Sequence, residues 1–168
     1  MYQPHQHGFA FIEVLCVLAI LSILSFFGAT HFFVYQKEHQ DRQMLQDDMD
    51  SLSEALLEAR QMAIKSGAMS FVCGGEDCSG IWSSGFEVRQ REGYAKEYRR
   101  VQFDHDVSVH WQGFPSNKSR IEFLPNGLSS YQNGTFVFCL GRWTANIVLN
   151  QSGRFYRSKV RRTGESCV

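Results

Sequence analysis

At 168 residues, 43% of them hydrophobic, the chain is long enough for one apolar segment and one compact domain, and its size argues against a second independent core. Its 17 basic and 17 acidic residues cancel, but the cancellation hides a segregation. Residues 37–60 hold three basic and seven acidic side chains, whereas residues 142–168 hold six basic side chains against Glu165 alone. Partners are therefore to be read from patches and not from the total charge.

The first element is residues 9–35, FAFIEVLCVLAILSILSFFGATHFFVY, an apolar run with a single formal charge at Glu13. Residues 14–35, free of Asp, Glu, Lys and Arg, give about 33 Å of helix, enough to cross a bilayer. The run is too long for the core of a signal peptide. An ionised carboxylate inside hydrocarbon costs roughly 2.5 to 3.5 kcal/mol, so Glu13 implies a cationic partner. Gly8 and Phe9 join the run to a short polar leader, MYQPHQHG, and glycine is easily accommodated where a protease holds the backbone extended. Cys16 lies inside the apolar helix and reads as a small buried hydrophobe with no chemistry assigned to it.

The segment GFAFIEVL at residues 8–15 resembles the class III signal of type IV prepilins. The resemblance implies cleavage after Gly8 by a prepilin peptidase and N-methylation of the new terminus at Phe9. It also implies that Glu13, fifth residue of the mature chain, is matched to the terminal amine of a neighbouring subunit during filament assembly. One departure is the leader, which has His5 and His7 but no Lys or Arg, so its positive-inside signal is weak.

Beyond Tyr35 the chain turns polar, yet Leu45, Met49, Leu52, Leu56, Ala59 and Ala63 recur at steps of three and four, which marks one helical face. No proline interrupts residues 9–66, and Gly67 stands where a helix C-cap is expected, so one long helix with an amphipathic distal half is predicted. From Ala68 the period changes to two. Strands are predicted at 69–73, 85–88, 99–103, 107–111, 120–124, 135–140, 145–149 and 154–160. Turns are predicted at Pro125-Asn126-Gly127, Asn133-Gly134 and Ser152-Gly153. A meandering antiparallel sheet results, its apolar face covered by the helical stripe.

The soluble half narrows the family. Residues 57–60 (LEAR), 63–67 (AIKSG), the Cys73 strand, 82–86 (WSSGF) and 121–127 (IEFLPNG), taken in order, resemble the GspH/FimT group of minor pilins and pseudopilins. Trp82 reads as core packing. Beyond the apolar run there are four cysteines, Cys73, Cys78, Cys139 and Cys167, an even number in a domain expected outside the cytoplasm, so two disulfides are the economical reading. Of the three possible pairings we favour Cys73 with Cys78, closing a Gly-Gly turn, and Cys139 with Cys167, tying the tail to a core strand. The rival is a zinc site built from all four, against which the second pair lacks the close spacing of a zinc knuckle.

No nucleophile with a base, phosphate cradle or metal cluster emerges. His105, between Asp104 and Asp106, reads as part of a polar turn, and His110 as a solvent-side strand residue. Cys73-Gly74-Gly75 and Ser79-Gly80 lack the spacing and following Lys of a phosphate-binding loop. The chain reads as a non-enzyme with no cofactor and no metal. One candidate site remains, the basic stretch GRFYRSKVRR at 153–162. Its Arg154, Arg157, Lys159, Arg161 and Arg162 are suited to phosphates and its Phe155 and Tyr156 to stacking on bases, while a solvated edge strand with gatekeeper charges explains it equally. FimT-type members implicated in DNA uptake carry Gly-Arg-x-Arg in this region. Here Gly153 and Arg154 match, Tyr156 stands where the next arginine is expected, and Arg157 follows one residue later, on the opposite face of a strand. Arg99 and Arg100 add charge if the fold brings them near.

The expectation is an α+β, type IV pilin-like fold: a cleaved leader at 1–8, a transmembrane and filament-core helix half at 9–35, an amphipathic half at 36–67, and an antiparallel β domain at 68–168. The resemblance implies a minor type IV pilin, single-pass in the inner membrane with a periplasmic domain. It would prime or cap a pilus with other minor and major pilins; DNA binding without sequence preference by the basic stretch stands level with the solvated edge strand, because the family's motif is only half matched. The alternative is a pseudopilin of a type II secretion system.

Overall fold

The computed structural model describes residues 11–92, 94–103, 106–165 and 167, with backbone alone for residues 27–34, 92 and 94–98. The leader, the Gly8-Phe9 junction and the Asp104-His105 pair lie outside the described residues. The chain separates into two compact units, Met1–Gln40 and Asp41–Val168.

One α-helix, α1, runs Phe11–Ser66, with Glu13 in its first turn. It stops where the sequence supplies a residue that tolerates a left-handed backbone: Gly67 has φ 69° and its N–H donates to the Ala63 carbonyl at 3.1 Å. Among the described residues no helix is long and apolar enough to cross a membrane. Described side chains end at Phe26 and resume at Tyr35, so the apolar run read from the sequence extends beyond them at its start and through its second half.

Within the second unit, Leu45, Met49, Leu52, Ala55, Leu56, Ala59 and Ala63 are at most 1% exposed and share one core with residues from every long strand whose side chains are described. The three-and-four spacing therefore does bury a single face. Among the described residues nine strands follow in chain order: β1 Ser70–Gly74, β2 Gly85–Glu92, β3 Tyr94–Gln102, β4 Ser108–Phe114, β5 Arg120–Phe123, β6 Asn133–Leu140, β7 Trp143–Leu149, β8 Phe155–Arg157 and β9 Arg161–Arg162. All pair antiparallel, but they do not form the single meander predicted from the sequence. One sheet has the order β3-β2-β1-β5 and the other β4-β6-β7-β8, with β9 also on β7. The reason is β5, which pairs with β1 and not with β4, so β4 is left to begin the second sheet.

Two local predictions differ from the structure for identifiable reasons. Asn133-Gly134 is not a turn but the start of β6, where Gly134 lies opposite Gly113 of β4. The reversal falls one step earlier, with Tyr131 at φ 60° and the Gln132 N–H on the Ser129 carbonyl at 2.6 Å. The strand predicted over 154–160 is broken, because the Ser158 hydroxyl accepts the Asn146 N–H at 2.8 Å and stands in for a ladder partner.

The Gly113–Gly134 pair leaves room for the Trp111 indole. A Cβ at Gly134 would come within 2.6 Å of the Gln112 carbonyl oxygen, the Gly113 Cα and Trp111 Cζ2. Backbone occupies two of those positions and cannot yield as a side chain would. Gly134→Ala is expected to lower stability by about 1 to 3 kcal/mol through overpacking, read as a shifted urea midpoint with unchanged slope for the full chain in detergent.

Candidate functional site

The first candidate is the sulfur-rich hairpin of the first sheet. Cys73 in β1 is joined to Cys78, closing the turn through Gly74 and Gly75, and Gly75 has φ 74°. Opposite Cys73 in the register lies Glu87, whose side chain is 1% exposed. A buried carboxylate needs partners. Arg89 supplies one guanidinium at 2.6 Å, Arg100 another at 3.0 Å, and the Asp77 N–H donates at 3.2 Å. Its lone pairs are spent on this clamp, which fixes the disulfide loop to β2 and β3. Cys73, Cys78 and Glu87 have their donor atoms together, but the two sulfurs are bonded to each other and offer no thiolate to a metal. The other two cysteines, Cys139 and Cys167, are joined on the second sheet, so the four do not converge as a zinc site would require.

The second candidate is the set of basic residues. Arg99 and Arg100, read as extra charge for the tail, are committed elsewhere: Arg99 lies 3.6 Å from Glu58 and 3.8 Å from Glu54 of α1, and Arg100 pairs with Glu87 and Glu76. Arg157 at the end of β8 forms an ion pair with Asp50 of α1. Phe155 is half-buried whereas Tyr156 is 63% exposed, so of the two aromatics Tyr156 presents its ring to solvent. Arg154, Lys159, Arg161 and Arg162 are exposed. The register sets Arg162 opposite Trp143 and Arg161 opposite Thr144. Arg42 of α1 stacks its guanidinium 5.6 Å from the Trp143 ring centre, and Arg142 adjoins it in the β6–β7 turn.

The sequence reading missed Arg42, Arg142 and Trp143. The Arg142-Trp143 pair at a tight turn was a visible signal, but its convergence with Arg42 spans the whole domain. His110 is exposed on β4, hydrogen-bonded to Gln112 at 3.0 Å, and Trp82 is core, its indole N–H donating to the Lys118 carbonyl at 2.8 Å.

Residues 48–153 match the family model described as type II transport protein GspH, well over half of the chain. The chain belongs to the GspH family. Residues 3–28 match the prokaryotic N-terminal methylation motif, which carries Gly8, Phe9 and Glu13. The fold is that of a type IV minor pilin of Pseudomonas aeruginosa, FimU. One FimU crystal form aligns with TM-score 0.60 at 18% identity over 74% of this chain and 98% of that one. A second gives 0.55 at 18% identity over 70% and 98%. No curated protein matches. Family and fold are those of structural pilins, and the methylation motif is that of membrane-anchored subunits of a pilus or pseudopilus. The family match ends at Gly153, so the basic residues of β8 and β9 lie beyond it.

The Cys139–Cys167 bond closes a sequence separation of 28 and holds a tail that contributes little to the core. Loop entropy assigns such a bond about 3 to 4 kcal/mol. Cys139→Ser with Cys167→Ser is expected to lose that much in urea unfolding, and non-reducing peptide mapping of the parent should recover the 73–78 and 139–167 linkages.

Proposed function

We propose that this chain is a minor type IV pilin, held in the inner membrane by one pass of α1, that primes or caps a pilus together with other minor and major pilins. In this reading residues 1–8 are the leader, 9–35 the membrane and filament-core half, 36–67 the amphipathic half and 68–168 the β domain. A prepilin peptidase cuts after Gly8, and Phe9 becomes the methylated terminus. The observation that carries the reading is Glu13, a lone carboxylate in the first turn of an apolar helix and inside a matched methylation motif. A carboxylate there is tolerated only with a cation, and the terminal amine of the neighbouring subunit is the cation a filament supplies. The second reading, a pseudopilin of a type II secretion system, draws support from the description of the family model itself.

Charge reversal at Glu13 separates an assembly role from a plain anchor. Glu13→Lys is expected to leave the membrane-bound precursor at parental levels while filament number and subunit recovery from sheared filaments collapse. Normal filaments with this variant would remove Glu13 from assembly.

DNA binding is a second, separable part of the proposal. The arginines around Trp143 support it better than β8 does, because Arg157 is already neutralised by Asp50 while Arg162 lies opposite Trp143 in the register, with the exposed Arg161 next to it in β9. Exposed cations next to a stacking surface suit a nucleic-acid backbone without regard to sequence. For the full chain in detergent, titrated against labelled duplex, log affinity should fall against log salt with a slope of about 0.9 per neutralised phosphate, and two or three phosphates are expected. Arg161→Gln with Arg162→Gln should weaken binding more than Arg157→Gln, and Asp50→Asn should strengthen it by freeing Arg157. No binding at low salt, or equal binding by all variants, would leave the basic tail as a solvated edge.

A further inference from the structure

The two outer strands of the second sheet are finished differently. On one side β8 and β9 share the flank of β7. On the other side β4 pairs, among the described residues, only with β6, and its opposite flank is an edge. In an antiparallel ladder the residues of an edge strand alternate, one bonding inward and the next outward. Val109 is an outward residue, because the Ser83 hydroxyl accepts its N–H at 2.8 Å and donates to its carbonyl at 3.1 Å. Ser83 lies in the short 3-10 turn Trp82–Ser84. The same alternation turns the N–H and C=O of Trp111 and Gly113 outward, and beyond Ser83 nothing among the described residues continues the pairing.

Natural edges are usually blunted by charge, proline or a bulge. From Trp111 to Phe114 this edge carries none, its residues being Trp111, Gln112, Gly113 and Phe114. The stretch ends on Phe114, 67% exposed, and at its start Trp111 lines a cleft of about 370 Å³ together with Ile81, 61% exposed. No carboxylate lines that cleft, whereas His110 and Lys118 do, and the Lys118 ammonium has no ion-pair partner among the described residues.

We infer that the free edge of β4 is a strand-acceptor site for an extended acidic polypeptide segment, added antiparallel or parallel to Trp111–Phe114. Backbone groups of the guest take the outward N–H and C=O of Trp111 and Gly113. Its side chains alternate, one set lying against Ile81 and Trp111 and the other bringing carboxylates to Lys118 and His110. Ser83 already occupies the position of a guest residue at Val109, so it sets where the added strand begins. The site shares no residue with the arginines around Trp143 and does not depend on DNA binding.

The test uses the full chain in detergent micelles and fluorescence anisotropy of three labelled peptides. The first is a six-residue peptide alternating valine and glutamate. The second replaces glutamate by lysine. The third keeps the glutamates but carries N-methyl groups on alternate backbone amides, which removes the donors without changing charge. Saturable binding of the first is expected, at least about tenfold tighter than either of the others, since like charge and lost donors each act at the contact itself. Lys118→Glu should reverse the preference between the glutamate and lysine peptides. If that variant does not fold, the comparison of the first and third peptides on the parent still decides. Equal binding of the N-methylated peptide would show an anion site and not a strand site, and equal binding of the lysine peptide would remove the charge argument. No saturable binding of the first would overturn the inference.

Discussion

The second unit depends on one buried helical face. Leu45, Met49, Leu52 and Leu56 supply bulk and Ala55, Ala59 and Ala63 supply close approach, and neither sheet has a core without them. Each fully buried leucine contributes about 1.5 to 3 kcal/mol relative to exposure. The aromatic layer beneath depends on the same support: Phe136 of β6 sits edge-on to Trp82 at 4.7 Å and tilted against Trp111 at 4.9 Å, which joins the 3-10 turn before β2 to β4 and β6 of the second sheet. Because α1 is also the segment that carries Glu13, the element proposed for assembly and the element that supplies one face of the core belong to the same helix, Phe11–Ser66. Substitutions in the distal stripe therefore act on the core of the second unit, and substitutions near Glu13 act outside it.

The helix and most strands were legible because their information is local. A 3.6-residue period, a capping glycine and short alternating runs are visible within a dozen residues, and each strand appears within a few residues of its expected place. What was not legible is non-local. Nothing near Arg120 announces that β5 will pair with β1, and nothing near Arg157 reveals Asp50, 107 residues away, as its counter-ion. Asn133-Gly134 misled for a related reason: a dipeptide that tolerates positive φ is also one small enough to pass beneath an indole, and Trp111 decides between the two uses. The candidate site was legible to the same extent. The basic tail could be seen, but which of its arginines are held by acids and which stand beside Trp143 is a property of the register between β7 and β9.

Charge in this domain is spent mainly on holding elements together. Arg99 ties β3 to α1, Arg89 and Arg100 neutralise the buried Glu87, and Arg120 pairs with Glu122 at 2.7 Å while stacking over Phe71. The exposed pairs among these contribute little each, about 0 to 1 kcal/mol, whereas Glu87 without its arginines would be a desolvated charge inside a sheet. The balanced composition thus conceals a division of labour in which the acidic helix absorbs part of the basic sequence and leaves the end of the second sheet as the cationic surface.

The covalent ring closed by Cys139 and Cys167 encloses β7, β8 and β9, almost to the last residue of the chain. Tension applied to the chain on either side of this ring runs along the covalent path of least slack. With the ring intact that path crosses from residue 139 to 167 directly, so about 95 Å of extensible chain is withheld at roughly 3.4 Å per residue. The strands inside it cannot be peeled away in sequence by a force applied outside the ring. Unfolding by such a force is confined to the chain that precedes Cys139.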